Sequence, residues 1–402
     1  MKILFITDNF PPEVNAPATR TFEHCKEWVK SGVDVTVITC APNFPQGKVY
    51  KGYKNRLVYK ERIEGIKVVR VWTYMSPNKG KIKRSLDYMS FSLSSFLAGL
   101  FIKTDLIVAT SPQILAALSG RGLSFVKRKP WVMEVRDLWP ASVALVGEIS
   151  AGNLLRFLFW LEIKLYNSAK RIVVVTDSFR ENIIGKGIEA KKIAVIKNGV
   201  NFDLYKNQPL DSELKSMLGL DGKFVFGYVG THGLSHSLDF ILNCVAQVKE
   251  ADSHFLFIGS GAKKQELKLQ AEQLALQNIT FLEPVEKAEV WRYISLIDVM
   301  LVPLRKDELF KTVIPSKIFE TAAMCTPILL GVDGEARKLI EDYNAGYYFE
   351  PENEKSFLKA LQKLKEDKTL YWELQKGCLK LAKDFDRKEL ADQMLTYLKG
   401  CV

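Results

Sequence analysis

A serine, a lysine and a glutamate that lie close together in this 402-residue chain are suited to bind a nucleotide. Ser316 and Lys317 are adjacent, and Glu320 follows within one helical turn. A lysine ammonium offsets the charge of a phosphate, and a carboxylate accepts hydrogen bonds from ribose hydroxyls. The preceding run Asp298–Pro303 has the apolar character of a buried parallel strand. The pattern predicts a nucleotide site where a strand is followed by a helix, since amides at a helix start attract phosphate.

Two glycine-containing loops after other predicted strands extend this candidate site. They are segment 227–236, with Gly230, Thr231 and His236, and segment 258–261, with Gly259 and Gly261. Glycine lets backbone amides approach a phosphate closely, and His236 is a candidate for contact with the phosphate or the leaving group. Together with the lysine and the glutamate, these loops predict one coherent site in a nucleotide-dependent enzyme.

The first half of the chain contains an Arg-Asp pair directly after the predicted strand Trp131–Val135. Asp137 could orient an acceptor hydroxyl or take its proton, and Arg136 could hold a phosphate or fix Asp137. An internal ion pair is the structural alternative. Arg20, in the first turn of the predicted helix Pro17–Ser31, could bind an anion or could equally be structural.

Several common classes of site are not indicated. Neither half contains G-x-G-x-x-G after its first predicted strand, and no Walker motif or G-x-S-x-G occurs. The four histidines are scattered, and no His, Cys and carboxylate cluster has metal-ligand spacing. We therefore expect no metal and no cofactor beyond a nucleotide substrate.

Predicted strands and helices alternate along the chain, which is typical of α/β proteins with doubly wound parallel sheets. Segment Ala194–Val200 ends in an Asn-Gly turn and marks the hinge between two such units. We predict an N-terminal domain of residues 1–197, to which a C-terminal helix of about residues 380–402 crosses back, and a C-terminal domain of residues 198–379. Loops of both domains would face one cleft if the units stack.

The positive charge is concentrated in the first half of the chain. The net charge is +11, yet residues 1–200 carry 31 Lys and Arg against 16 Asp and Glu. This asymmetry suggests an anionic partner such as a phospholipid surface, a pyrophosphate-linked acceptor or nucleic acid.

Two apolar segments bear on membrane contact. Ser85–Ile102 has basic flanks and fits either an interfacial helix or a helix of the domain, whereas Leu154–Tyr166 is interpreted as a packed helix. No apolar stretch reaches membrane-spanning length, and no signal-peptide pattern or C-x-x-C spacing is present. We expect a cytoplasmic protein that associates peripherally with the inner face of the cell membrane.

These residues, in this order, resemble the retaining family 4 glycosyltransferases of the GT-B fold over nearly the whole chain. Segment Lys197–Asn201 is similar to the inter-domain signature of that family, and the helix with Glu320 is similar to the second half of its Glu-x7-Glu motif. Four segments are more specifically similar to the bacterial N-acetyl-L-fucosamine (L-FucNAc) transferases of O-antigen and capsule assembly, namely 10–20, 42–47, 136–140 and 315–320.

The resemblance implies a role for each matched position. Glu320 would bind the ribose of a UDP-sugar, and Ser316 and Lys317 would hold its diphosphate. The chain departs from the family pattern at four places. In the donor half, Thr312 replaces the first Glu of the motif, and Thr231 and His236 replace the Arg and Lys that neutralise the leaving diphosphate. In the first half, Asn15-Ala16 replaces an N-terminal Gly-Gly, and Arg136-Asp137 stands where a catalytic His is usual. The resemblance assigns Arg20, Asn15 and Ala16 to the acceptor or a phosphate, and an altered donor pocket at Thr312 fits a deoxy-amino sugar.

The resemblance thus implies an enzyme that transfers a 6-deoxy-N-acetylamino sugar, L-FucNAc from UDP-L-FucNAc, to an undecaprenyl-diphosphate-linked saccharide. The N-terminal domain would take the acceptor and rest on an anionic membrane surface. The alternative enzyme is a UDP-sugar 2-epimerase of the same fold. A nucleic-acid-binding protein is a further alternative, but the chain lacks basic-aromatic stripes, so we expect no nucleic acid partner.

Overall fold

The computed structural model describes residues 1–44, 46–75, 81–111, 114–145, 152–206 and 208–402. Pro45, in one of the segments that carry the family resemblance, lies outside them. The chain divides into two compact units, Met1–Lys197 with Arg387–Val402, and Asn198–Asp386. Each unit is built around one sheet of mainly parallel strands.

The first unit contains an eight-stranded sheet in the spatial order β3-β4-β2-β1-β5-β6-β7-β8. Its strands are β1 (Lys2–Ile6), β2 (Asp34–Cys40), β3 (Val58–Ile63), β4 (Ile66–Val71), β5 (Leu106–Thr110), β6 (Trp131–Val135), β7 (Arg171–Val174) and β8 (Ile193–Val195). The order reverses between β1 and β5, which is the kind of switch point where α/β sheets bind ligands. The edge strand β3 is antiparallel to β4, and its exposed, charged side chains explain why sequence patterning does not predict it.

The second unit contains a six-stranded, fully parallel sheet in the order β11-β10-β9-β12-β13-β14. Its strands are β9 (Phe224–Val229), β10 (Ser253–Ile258), β11 (Ile279–Leu282), β12 (Val299–Pro303), β13 (Ile328–Gly331) and β14 (Gly346–Tyr348). Alternate residues of these strands belong to two different apolar clusters, so both faces of the sheet are covered. The sheet changes direction between β9 and β12, and the loops after these two strands diverge there.

Helices connect the strands in both units. They are α1 (Ala16–Lys30), α2 (Lys81–Leu100), α3 (Ile114–Lys127), α4 (Ala141–Leu145), α5 (Asn153–Ser168), α6 (Asp177–Gly185), α7 (Phe202–Tyr205), α8 (Ser212–Met217), α9 (Leu238–Val245), α10 (Lys264–Gln273), α11 (Val290–Ile294), α12 (Lys317–Ala323), α13 (Glu335–Tyr343), α14 (Glu354–Glu366), α15 (Lys368–Asp384) and α16 (Arg387–Lys399). Segment Leu154–Tyr166, which lies in α5, was predicted to be a packed helix, and this prediction is right for only one face of the helix. Leu158 and Leu161 are buried, whereas Phe157 and Trp160 are each 53% exposed.

The C-terminal helix differs from the prediction of a helix from about residue 380. Helix α15 ends at Asp384 and α16 begins at Arg387, so Phe385 and Asp386 separate the two helices. The Phe385 ring packs 5.2 Å from that of Phe319 in the second unit. Helix α16 instead packs on α1 in the first unit, where the Trp28 indole donates a 2.8 Å hydrogen bond to the Ala391 carbonyl.

Candidate functional site

Lys317 is the most unusual charged residue in the second unit. It begins α12, and its ammonium nitrogen is buried without a hydrogen-bond partner in the described part of the chain. The nitrogen lies 3.5 Å from the centroid of the Tyr228 ring, within the range of a cation–π contact. Burial lowers the pKa of Lys317 to about 7, although Glu320 opposes this shift. A buried cation without a carboxylate or carbonyl partner is suited to receive an anion.

The glycine loops after β9 and β10 lie directly against this lysine and against each other. A methyl group on Gly230 would lie 3.1 Å from the Lys317 ammonium. A methyl group on Gly259 would overlap the Gly230 carbonyl, and one on Gly261 would overlap the His232 carbonyl. All three glycines have φ between +141° and +156°, which L-residues rarely adopt. The structure therefore brings the predicted glycine loops and Lys317 together.

Two histidines lie in the loop after β9. His236 packs edge-on to the Tyr228 ring at 6.1 Å, and burial lowers its pKa to about 3. His232 is fully buried, and burial lowers its pKa to about 4. Both rings are therefore neutral near pH 7, so His236 could contact a phosphate by hydrogen bonding and not by charge. The exposed Thr231 takes part through its backbone carbonyl, which accepts a 2.6 Å hydrogen bond from the Tyr228 hydroxyl.

Glu320 lies one turn further along α12 and is partly exposed. The Lys287 ammonium is 3.4 Å from its carboxylate. Thr312 ends a short 3-10 turn, and its hydroxyl donates to the Leu309 carbonyl at 2.7 Å. Ser316 precedes α12, and its side chain makes no capping hydrogen bond. Because α12 has only seven residues, the charge of Lys317 is a better-founded anion ligand than the helix dipole that the sequence suggested.

Arg136 and Asp137 follow β6 in the first unit, as predicted. The Arg136 guanidinium donates to the carbonyls of Ser111 at 3.2 Å and Pro17 at 3.0 Å, so it ties together the loops after β5 and β6 and the start of α1. Burial raises the pKa of Asp137, and the positive charge of Arg136 opposes that shift. A carboxylate with a raised pKa is better matched to accept a proton near neutral pH.

The residues assigned to the acceptor or a phosphate lie at the start of α1. Asn15 is the N-cap of this helix, its side chain accepting a 2.9 Å hydrogen bond from the Ala18 amide, and Ala16 is the first helical residue. Arg20 is only 2% exposed and donates to Glu134 at 2.9 Å and to the carbonyls of Ile196 and Lys197. These contacts hold Arg20 within the protein, as expected if this arginine is structural and does not bind an anion.

Sequence reasoning did not select two acidic residues in the loop after β1, Asp8 and Glu13. Asp8 follows β1, and burial raises its pKa while Arg136 opposes the shift. Glu13 accepts hydrogen bonds from the amides of Asn43 and Phe44 at 2.8 and 2.9 Å, and burial raises its pKa to about 6. The available signal was an acid directly after two prolines in the loop that follows the first strand.

Among the residues that the structure describes, no group of three or more His, Cys, Asp and Glu side chains is placed to hold a metal ion. Within the same residues, no helix is long and apolar enough to cross a bilayer.

Comparison with known families gives two adjacent matches. Residues 15–199 match the family model of the Glycosyl transferase 4-like domain, and residues 212–384 match that of the Glycosyl transferases group 1. Together the two matches span most of the chain. The chain belongs to the group 1 glycosyltransferases with a glycosyl transferase 4-like N-terminal domain, and it is a glycosyltransferase.

Two curated relatives are similar over most of the chain. One is the "Putative colanic acid biosynthesis glycosyl transferase WcaI" of Escherichia coli K12, 25% identical over 81% of each chain. Another is the N-acetylgalactosamine-N,N'-diacetylbacillosaminyl-diphospho-undecaprenol 4-alpha-N-acetylgalactosaminyltransferase of Campylobacter jejuni, 24% identical over 78% of this chain and 81% of the relative.

Among solved structures, HepE from Anabaena in complex with UDP-glucose is similar with a TM-score of 0.75, at 18% identity over 100% of both chains. At this identity the likeness concerns the fold alone. The predicted two-domain α/β architecture of the GT-B glycosyltransferases is confirmed.

Proposed function

We propose that this glycosyltransferase takes its sugar from a UDP-sugar bound at Lys317, Glu320 and the two glycine loops. The observation that carries the proposal is the buried Lys317 ammonium, which has no hydrogen-bond partner in the described residues and lies against Gly230. A diphosphate would supply the missing anion, and Glu320 would accept hydrogen bonds from the ribose hydroxyls. The UDP-glucose complex of the structurally similar HepE supports a UDP-sugar as the donor.

When the bond from the anomeric carbon to the diphosphate breaks, negative charge grows on the departing UDP. The Lys317 ammonium would stabilise that charge in a site from which water is largely excluded, a contribution on the order of several kcal/mol. The neutral His236 would add a hydrogen bond. In the first unit, Asp137 would orient the acceptor hydroxyl or take its proton, and Arg136 would fix the loop that carries it. Neither a metal nor a cofactor is needed in this scheme.

We further propose that the acceptor is a saccharide linked to undecaprenyl diphosphate, in the assembly of a bacterial surface polysaccharide. The name of the C. jejuni relative, which contains diphospho-undecaprenol, supports such an acceptor, and the basic first half of the chain is compatible with it. The name of the E. coli relative, which refers to colanic acid biosynthesis, supports a role in polysaccharide assembly. The basic N-terminal domain would rest on the inner face of the cell membrane. The specific resemblance described above suggests UDP-L-FucNAc as the donor, with Thr312 contributing to its selection.

The test compares two variants, Glu320→Gln and Lys317→Met, with the wild-type enzyme. Calorimetry measures their UDP binding, and an activity assay measures sugar transfer to lipid-linked acceptors. We expect Lys317→Met to weaken UDP binding at pH 6.5 by tenfold or more, and Glu320→Gln to raise the donor KM. Glu308→Gln is a matched control, because this carboxylate is largely exposed and is paired with Lys311. Wild-type kinetics in both site variants, or UDP-sugar turnover that needs no acceptor, would refute the proposal.

A further inference from the structure

An open apolar groove of about 830 Å³ runs along one side of the first unit, between helices α2, α3 and α5. Its volume is in the upper part of the range of small-molecule sites, roughly 300–1,000 Å³. The walls are mainly aliphatic and aromatic, with Leu93 from α2, Phe125 from α3 and Phe157 from α5.

Several of the apolar side chains that line the groove are largely exposed. Leu93 is 62% exposed, Phe125 86%, Leu154 61% and Phe157 53%. Single exposed apolar side chains are ordinary, but a contiguous exposed apolar surface marks a site of interaction. The groove is concave, and three helices form its walls, so it fits an extended hydrocarbon chain better than a flat surface would.

The loop that carries the candidate catalytic carboxylate contributes one side chain to the lining of the groove. Trp139, which lines the groove, follows Asp137 by two residues. A molecule in the groove could therefore have its hydrocarbon between the helices and its polar end beside Asp137.

The charges around the groove favour a lipid with an anionic head. Arg121 lines the groove, and Arg156 lies on α5 between two of its lining residues. Both arginines are exposed and take part in no ion pair within the described part of the chain. The described lining residues include no acidic side chain. Arginine side chains pair well with phosphate oxygens.

We infer that the groove between α2, α3 and α5 holds the isoprenoid chain of the lipid diphosphate acceptor, with the diphosphate near Arg121 and the sugar directed to Asp137. This inference rests on the proposed function, because it assigns a site to the acceptor of that reaction. For segment Ser85–Ile102 the sequence left open an interfacial helix or a helix of the domain, and the inference makes this segment one wall of a lipid-binding groove.

The experiment uses the full-length enzyme and a farnesyl diphosphate analogue that carries a benzophenone at the end of its chain. Labelled peptides are identified by mass spectrometry, with undecaprenyl diphosphate in detergent as competitor. We expect the label in α2, α3 or α5 and its suppression by the competitor. Leu93→Gln and Phe157→Gln should lower labelling at least fivefold and raise the KM for the lipid acceptor.

Leu97→Gln and Trp160→Gln are the matched controls, since these residues lie on the same two helices, are 50% and 53% exposed, and do not line the groove. They should label as wild type does. A thermal shift with UDP in all four variants checks that the fold and the donor site are intact.

The outcomes separate the two proposals. Equal labelling of all four variants, in an enzyme that binds UDP and transfers sugar to a lipid-linked acceptor, overturns the groove assignment alone. If phosphatidylglycerol suppresses labelling as well as undecaprenyl diphosphate does, the groove binds membrane lipid. If the enzyme is a dimer that Leu93→Gln dissociates, the groove binds a second copy of this chain. Either result overturns the inference. Failure of every variant and of the wild type to bind UDP overturns the proposed function, and the acceptor assignment with it.

Discussion

The ammonium of Lys317 lies 3.5 Å from the centre of the Tyr228 ring, although the two residues are far apart in the sequence. The ring faces the positive charge, but it supplies only a fraction of the stabilisation that water or a carboxylate would give. The shortfall is the reason that the pKa of Lys317 falls to about 7. An anionic ligand next to this ammonium would restore the stabilisation of the positive charge that burial removes. Nucleotide binding, the protonation of Lys317 and the stability of the fold are therefore linked.

The first prediction concerns the pH dependence of UDP binding. A bound diphosphate favours the protonated lysine, so its pKa must rise on binding. Above pH 7, affinity should therefore fall by up to tenfold per pH unit, with proton uptake on binding. Calorimetry in buffers of different ionisation enthalpy measures this uptake.

The Lys317→Met variant is expected to bind UDP weakly and without this decline. Lys287→Met is the control, because Lys287 is a partly exposed cation next to Glu320 and should leave the pH profile unchanged. A wild-type affinity that does not vary between pH 6 and 9 would contradict the assignment of Lys317 to the diphosphate.

The second prediction concerns the stability of the ligand-free protein. The folded-state pKa of Lys317 is lowered from 10.5, so below pH 7 the folded state bears the full cost of a buried charge. Lys317→Met should therefore raise the free energy of unfolding of the second unit by about 1–3 kcal/mol at pH 6. The gain should shrink as the pH rises from 7 to 10.5, where the wild-type lysine is neutral in the folded state. Chemical denaturation at several pH values provides the measurement, and a constant gain would be inconsistent with a charge effect.

Much of the fold could be predicted from the sequence, because its strands are continuous apolar runs. Strand β6 was predicted with its observed bounds, Trp131–Val135. The edge strand β3 was not, since only its pairing with β4 makes its charged sequence a strand. For the candidate site, sequence reasoning selected Lys317 but not Tyr228, which reads as an apolar residue inside a strand. Only the packing of α12 against the end of β9 gives that ring a polar role.

The third prediction concerns the contact between the two glycine loops. Gly259→Ala places a methyl group into the Gly230 carbonyl at a φ of +141°, so the loops must separate. We expect a loss of stability of about 1–3 kcal/mol and a large loss of UDP affinity. Gly222→Ala is the control, because this glycine also has a positive φ of +69° but nothing within 4 Å of the added methyl group. It should lose some stability and no UDP affinity; similar losses of affinity in both variants would show that the loop contact has no special role.

The fourth prediction distinguishes a structural Arg20 from one that binds the acceptor. In Arg20→Met, the buried Glu134 carboxylate loses its ion-pair partner and keeps only the weaker support of Arg136 and Thr110, and removing one partner of a buried pair typically costs about 3–5 kcal/mol. The melting temperature of the first unit should therefore fall sharply. The double variant Arg20→Met with Glu134→Gln should recover the part of the loss that is due to the buried charge, but not the part due to the carbonyls of Ile196 and Lys197. Glu181→Ala, which removes an exposed pair with Arg180, should have almost no effect. If the double variant is stable, its KM for the lipid acceptor should equal that of the wild type, because the guanidinium of Arg20 already binds Glu134 and two backbone carbonyls. A raised acceptor KM in a stable double variant would instead assign Arg20 to the acceptor site.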